Sequence, residues 1–404
     1  MSVTTQLVTS EDAELILKRS IDSNISVRNY TLEDYSDEKI GLLANHYRLK
    51  IEVNRKKNGD KTNEEFSYFL KAMPFDCPRL LNYILEIMAF EKEIAFFSKI
   101  APRLMEDHGG PAWCPRCYLV KESALCFEDL GLQGFKMQGP LFDELHVKAT
   151  LKAIASLHAS SIKVEAKLGR SLKDIYPDNF EEMIFIREKR TLDWITSGLA
   201  LAGTLAERMG LDGSRLPEAF EMLFKSIVPS KIKINAVNHA DLWCNNILFD
   251  EKLQCRLVDF QSFRYCPPAS DIAHFLYLCA PNELRKSKEE DLLMHYHENL
   301  LEFLGPTFSS KAPSIAELRQ SYAEQKIAGC IGAVLHFPTI LLKGSLANEI
   351  MGDLDTFERF YFYDRKDAVM ENMKRDPVYK ERIETVVSEL VEMSLVLEEL
   401  PVPC

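Results

Sequence analysis

Asn238-His-Ala-Asp-Leu-Trp-Cys-Asn-Asn-Ile-Leu-Phe-Asp-Glu-Lys-Leu-Gln-Cys-Arg-Leu-Val-Asp-Phe-Gln261 is the stretch that decides how this chain is read. Two short apolar runs, Ile247–Phe249 and Arg256–Val258, flank a turn of Asp250-Glu251-Lys252, which predicts a small hairpin. His239, Asp241 and Asn246 precede the hairpin and Asp259 follows it. Because a hairpin folds back on itself, the loop before it and the residue after it are expected to converge. Two oxygen ligands from such a set suit Mg²⁺, which keeps several waters and binds through substrate phosphates. The remaining carboxylate can accept a hydroxyl proton. Such a set of groups suits phosphoryl transfer from a nucleotide.

The spacing is specific. His-x-Asp-x₄-Asn, followed closely by a strand that ends in Asp-Phe, is the catalytic pattern of protein-kinase-like phosphotransferases. The plainer alternative is a buried polar turn whose Asp and Asn cap backbone groups. Four roles in register within one hairpin weigh against it.

Upstream, His46–Val53 alternates with Tyr47, Leu49, Ile51 and Val53 on one face, which predicts a half-buried strand. Asn58-Gly59 is a turn signal, and Phe66, Tyr68 and Leu70 alternate beyond it, which puts Lys71 on the opposite face. Pro78–Ile100 has helical period and carries Glu93; Cys117–Lys121 and Ala124–Leu130 read as two further strands. Strand, strand with Lys, helix with Glu, strand, strand is the order of a kinase-type N-terminal lobe, in which the Lys–Glu pair holds the α- and β-phosphates. Glu128-Asp129 falls where two lobes would join. There it is either a hinge lining an adenine site or a solvated acidic pair, and the sequence leaves both open.

The remainder predicts helices. The first lies at 11–22 near the start of the chain, with Ser10 as N-cap; the others are at Phe142–Ser160, within 178–228, at Asp271–Cys279, 288–303 and 315–342, and at Tyr379–Leu397. His158 reads as a hydrogen-bonded core histidine. Asp271, in the first turn of its helix, suits the helix dipole and would also buttress the catalytic loop. The fold class expected is α+β and protein-kinase-like. A small, mainly antiparallel-sheet N-lobe with one helix would occupy residues 1–130, and a larger, mainly helical C-lobe residues 131–404.

With 404 residues, 46% hydrophobic and 27% charged, the chain has the composition of an ordinary globular protein. A net charge of −12 argues against a nucleic-acid surface. Residues 1–14 carry no apolar h-region, and the longest uncharged run, Ile327–Leu342, is short for a membrane span and contains His336 and Pro338. A cytoplasmic protein is therefore expected, with its ten cysteines reduced and the sequons at Asn24 and Asn29 unused. Cys114-Pro-Arg-Cys117 is a lone CxxC, read as a coincidence within a turn rather than a zinc or redox site. No protein partner is called for.

Absent motifs narrow the substrate class. There is no G-x-G-x-x-G and no Walker A pattern, so the turn around Asp37–Ala44, with Gly41, would have to cover the phosphates. Asp259-Phe260 is followed by Gln261 rather than Gly, and only Phe260–Ser270 separates it from the next helix. A segment that docks a protein substrate has no room there, so the acceptor is expected to be a small molecule.

Several local motifs then converge. Phe69-Leu-Lys-Ala-Met-Pro74, Phe90-Glu-Lys-Glu-Ile-Ala-Phe-Phe97, Phe127-Glu-Asp-Leu130 and Ala155-Ser-Leu-His-Ala159 accompany His239–Leu248 and Leu257–Gln261. Together they resemble the ecdysteroid kinase-like family, relatives of choline kinases and aminoglycoside phosphotransferases. The resemblance implies that Lys71 and Glu93 anchor phosphates, Asp241 is the catalytic base, Asn246 and Asp259 bind Mg²⁺, and Glu128–Leu130 is the hinge. It implies ATP as donor and a hydroxylated lipophilic small molecule, an ecdysteroid or xenobiotic, as acceptor. Ala240 departs from the pattern, standing where glycine is usual; its methyl would crowd the loop slightly and removes no chemistry. A choline- or ethanolamine-type kinase is an alternative that would need a cage for a cation. A catalytically dead carrier would be expected to have lost Lys71, Asp241, Asn246 or Asp259, and all four are present.

Overall fold

Thr9 begins α1 (Ser10–Ser20): its hydroxyl accepts from the Asp12 amide at 3.2 Å while the Asp12 carboxylate accepts from the Thr9 amide at 2.8 Å. This reciprocal capping box outcompetes the expected cap at Ser10, which lies inside the helix. The structure is a computed structural model and describes residues 7–21, 26–36, 44–57, 60–106 and 108–403. The chain forms two compact units. One comprises Met1–Glu106, Ala112–Met137 and Leu248–Gln261; the other comprises Asp107–Pro111, Gln138–Ile247 and Ser262–Cys404.

The first unit is built on a five-stranded antiparallel sheet. Its strands are β1 (Ser26–Asp34), β2 (Asn45–Lys57), β3 (Asp60–Ala72), β4 (Cys117–Val120) and β5 (Ala124–Glu128), in the order β1-β2-β3-β5-β4. The alternation seen in the sequence sorts the faces. Leu49, Ile51 and Val53 of β2 and Tyr68, Leu70 and Ala72 of β3 pack with Ala13, Ile16 and Leu17 of α1. Burying these side chains at roughly 1.5–3 kcal/mol each is what fixes the register, since a one-residue slip would expose the whole set. Lys71 is thereby placed on the other face. β1 gave no signal in the sequence because it is an edge strand whose Val27, Tyr30 and Leu32 are only partly buried, with a register shift between Val27 and Asn29. The turn expected at Asn58-Gly59 and the loop around Gly41 lie outside the described residues.

The helix expected over Pro78–Ile100 is broken. α2 (Pro78–Glu86) ends before Met88, which adopts a left-handed φ of +50°, and α3 (Ala89–Ala95) restarts beyond it. A π-turn at Phe96–Ile100 then leads into α4 (Ala101–Met105). Apolar periodicity runs through the break because Leu80, Ile84, Phe90 and Phe97 are all buried. One residue at positive φ leaves no trace in such a pattern.

The hairpin forms as expected. β6 (Lys136–Met137), β7 (Ile247–Phe249) and β8 (Cys255–Leu257) make a small sheet, with Lys136 opposite Phe249 and Met137 opposite Leu248. The hairpin is tied down further by Leu257, whose amide donates to the Trp113 carbonyl at 2.7 Å, and by Arg256, which donates to the Ala112 carbonyl at 2.7 Å.

The second unit is helical: α5 (Glu144–Leu168), α6 (Lys189–Arg208), α7 (Leu216–Ser226), α8 (Ala269–Cys279), α9 (Asn282–Phe308), α10 (Ile315–Ile340), α11 (Lys366–Arg375) and α12 (Pro377–Leu395). α5 runs beyond the expected Ser160, to a left-handed Gly169 with φ +65°. A short strand pair, Ala236–Asn238 with Arg264–Cys266, was not anticipated; it brackets residues 239–263 from both sides. The uncharged run Ile327–Leu342 falls in and just after α10, and most of it is buried. Among the described residues no single helix is long and apolar enough to cross a membrane.

Candidate active site

In the sheet unit, the Lys71 ammonium donates to Glu93 at 2.5 Å and to Asp259 at 2.7 Å. Three elements supply the trio: Lys71 comes from β3, Glu93 from α3, and Asp259 from the chain leaving β8. Lys71 and Glu93 are buried. Burial works against the Lys71 charge, but Asp259 and Glu93 outweigh it and hold the ammonium well above its ordinary range. For Glu93 burial is the largest influence. With Asp259 adding to it, it overcomes the pull of Lys71 and raises the carboxyl to about 7.

Asp259 has φ +69°, a conformation that aspartate tolerates better than most residues. The turn is held by Phe260, whose ring stacks on Phe96 at 4.2 Å with 7° between planes and meets Phe97 and Trp113 edge-on. The π-turn after α3 supplies Phe96 to this stack. Glu93 also accepts the Phe260 amide, so one carboxylate is bonded both to Lys71 and to the residue after Asp259.

In the helical unit, the Asn246 side-chain NH₂ donates to the Asp241 carbonyl at 2.8 Å and to its carboxylate at 2.9 Å. Both amide protons are then committed, and the amide oxygen remains as an acceptor. The loop is fixed from behind by Asp271, which accepts the His239 amide at 2.7 Å and the Ala240 amide at 2.8 Å. This is the buttress expected of Asp271. His158 is the core histidine expected: fully buried, it bonds Tyr296 at 2.8 Å and Asp271 at 3.3 Å.

The structure thus brings Lys71, Glu93 and Asp259 together in one unit, and Asp241 and Asn246 together in the other. Glu128 and Leu130 stand apart from both clusters in their bonding. The Glu128 carboxylate accepts the Arg116 amide and the Gln133 side chain, both at 2.9 Å, and the Leu130 carbonyl accepts the amides of Gln133 and Phe135.

Asp129, between them, is no solvated acid. It is buried and accepts from Tyr35 at 2.8 Å, Ser67 at 3.2 Å and Arg48 at 3.4 Å. Sequence reasoning missed this hub. Its signal was the placement of Ser67 on the same side of β3 as Lys71, away from the apolar face.

Asp259 in one unit and Asn246 in the other each present a hard oxygen of the kind that Mg²⁺ takes. Among the described residues no group of three or more His, Cys, Asp or Glu could hold a metal unaided. Cys114 and Cys117 are free thiols, and burial pushes the Cys117 thiol up to about 12.

A family model, that of the ecdysteroid kinase-like family, matches residues 42–306. The chain belongs to that family. The α+β class expected from the sequence is the one observed, an antiparallel sheet in one unit and a mainly helical second unit. No curated protein matches the chain. Among solved structures, this ecdysteroid kinase-like chain is similar to a spectinomycin phosphotransferase in complex with ADP and spectinomycin, at 12% identity over 97% of this chain and 99% of that one, TM-score 0.42. It is similar also to an ethanolamine kinase of Plasmodium vivax (13% identity, 91% and 88% covered, TM-score 0.41) and to the choline kinase LicA of Streptococcus pneumoniae (15%, 85% and 95%, TM-score 0.35).

Proposed function

We propose that this protein is an ATP- and Mg²⁺-dependent kinase that transfers the γ-phosphate to a hydroxyl of a lipophilic small molecule, an ecdysteroid or xenobiotic alcohol. The observation that carries the reading is Lys71 bonded at once to Glu93 and Asp259. A buried lysine held charged by two carboxylates, one of them the proposed Mg²⁺ ligand Asp259, is a prepared site for phosphate oxygens.

On this reading Asp241 orients the acceptor hydroxyl and takes its proton as the oxygen bonds to phosphorus and the bond to ADP breaks. Asn246 keeps the Asp241 carboxylate aligned through its NH₂, and its amide oxygen would be a ligand for the Mg²⁺. Lys71 holds the α- and β-phosphate oxygens, and Glu93 holds Lys71. Asn246 and Asp259 would carry the Mg²⁺, whose charge neutralises the transferring phosphate. Positioning and charge supply most of the rate. Glu128–Leu130 would form the hinge beside the adenine.

The test is mass-spectrometric detection of product from purified protein, Mg-ATP and a panel of ecdysteroids, hydroxylated plant compounds, choline and ethanolamine. A phosphorylated alcohol formed by the wild type and lost in Asp241→Asn, with nucleotide binding retained, is the expected result. Turnover that survives Asp241→Asn removes the assigned base. Absence of both product and Mg-ATP stabilisation removes the kinase reading.

A further inference from the structure

The helical unit contains a cavity of about 20 Å³ whose wall includes Phe185, Ala240, Arg264, Ser270, His274 and Gln325. A space of that size holds one water-sized group. Ala240 is the residue before Asp241, so the cavity touches the loop that carries the proposed base. Two of its polar side chains are already engaged. Arg264 donates to Glu182 at 3.1 Å and lies over the Phe185 ring at 5.2 Å; the Gln325 NH₂ donates to the Ser226 carbonyl at 3.0 Å.

His274 differs. Its Nε2 is buried and has no hydrogen-bond partner among the described residues. Such a nitrogen is costly to leave unmet, so its presence calls for an explanation. The ring is also held in place. It stands one turn after Asp271 on α8, the His336 ring meets it edge-on at 5.7 Å, and even a methyl at Gly332 would approach its Nδ1 to 3.3 Å. Burial, with His336 and Arg264 adding like charge, keeps the imidazole neutral. A neutral ring nitrogen in a one-oxygen space complements a hydroxyl or carbonyl, and the Arg264 charge on the same wall disfavours a quaternary ammonium.

We propose that this cavity receives a second oxygen of the acceptor, and that His274 is a specificity-determining residue selecting alcohols with two oxygens over mono-alcohols. The inference rests on the kinase reading for the identity of its ligand.

The test uses the full chain, a steroid mono-alcohol and the matched diol with hydroxyls at opposite ends of the ring system. Binding is measured by calorimetry and phosphoryl transfer by mass spectrometry, in wild type, His274→Phe and His274→Asn. The wild type should bind the diol about tenfold more tightly, the equivalent of about 1.4 kcal/mol for one hydrogen bond. His274→Phe should abolish that ratio without weakening the mono-alcohol, and His274→Asn, which keeps a hydrogen-bonding group, should retain part of it. Equal binding of the two probes by the wild type, equal weakening of both in His274→Phe, or binding of choline but neither steroid overturns the proposal. Selective binding with neither phosphoryl transfer nor Mg-ATP stabilisation would remove the kinase reading and leave the site standing. Transfer that ignores His274 would do the reverse.

Discussion

Asp271 clamps Ala240: one oxygen of its carboxylate accepts the Ala240 amide at 2.8 Å while the other accepts the preceding amide, of His239, at 2.7 Å. The carboxylate is fully buried. Burial alone would raise its pKa, but His158, His239 and the Ala240 amide outweigh that effect and hold it below the usual carboxylate range. An ionised acid accepting at both oxygens therefore fixes the loop that carries Asp241.

Asp271→Asn replaces one acceptor with a donor that faces a backbone N–H. About 1–3 kcal/mol of stability should be lost, the cost of leaving a buried amide unmet. Turnover should fall through kcat, with nucleotide affinity unchanged, because Lys71 and Glu93 are untouched. Urea unfolding and steady-state kinetics check both; unchanged stability would mean that the clamp bears no strain.

Ala240 itself is strained. Its φ of +68° lies in the left-handed region, where a Cβ costs roughly 1–2 kcal/mol. This gives a physical reason for the glycine usual at the position. Ala240→Gly relieves the strain but adds about 0.5–1 kcal/mol of unfolded-chain entropy. The net expectation is a gain of up to about 1 kcal/mol, read from the urea midpoint, whereas Ala240→Val should destabilise. A less stable glycine variant would show that the loop is not strained in solution.

The sequence was legible where chemistry and periodicity coincide. Alternation through Phe66, Tyr68 and Leu70 placed Lys71 on the face opposite the core, and the hairpin 247–257 followed from its turn. Backbone events were not legible. Met88 at positive φ and the π-turn at Phe96 divide one apolar period into separate helices without altering it. Edge strand β1 is only half-buried, through Val27, Tyr30 and Leu32, and a register shift between Val27 and Asn29 breaks its alternation. The role of Asp129 stayed open because its partners, Tyr35, Arg48 and Ser67, arrive from segments distant in sequence. His274 was passed over because an unmet nitrogen becomes visible only once its surroundings are known.

Lys71→Met tests the charge balance around the proposed phosphate anchor. Removing the ammonium leaves Glu93 and Asp259 without the cation that both now contact at 2.7 Å or less. Loss of one preorganised positive group should reduce kcat/KM about 10²–10³-fold. The variant should still bind the acceptor, whose proposed contacts lie in the helical unit. Calorimetric titration separates the outcomes: intact acceptor affinity with lost turnover supports the anchor role, and full turnover removes it.

Glu93 gives the protein a pH signature of definite sign. Its carboxyl is raised from the ordinary 4.5 to about 7, so the folded state favours the proton. The stability this contributes is present in full below about pH 4.5, shrinks as pH rises, and is gone above about 7. His336 acts oppositely. Burial lowers it from 6.5 to about 4, so its contribution is present above 6.5 and fades as the pH falls toward 4. The raw stability curve mixes the two, and the difference between wild type and Glu93→Gln isolates the first. The wild type should lose ground to the variant steadily between about pH 4.5 and 7, with no further change above. Saturating Mg²⁺ and ATP should flatten that slope, because a divalent charge beside Asp259 favours ionised Glu93. A wild-type-minus-variant difference that is level across the window would show that Glu93 is ionised throughout and that Lys71, not burial, governs it.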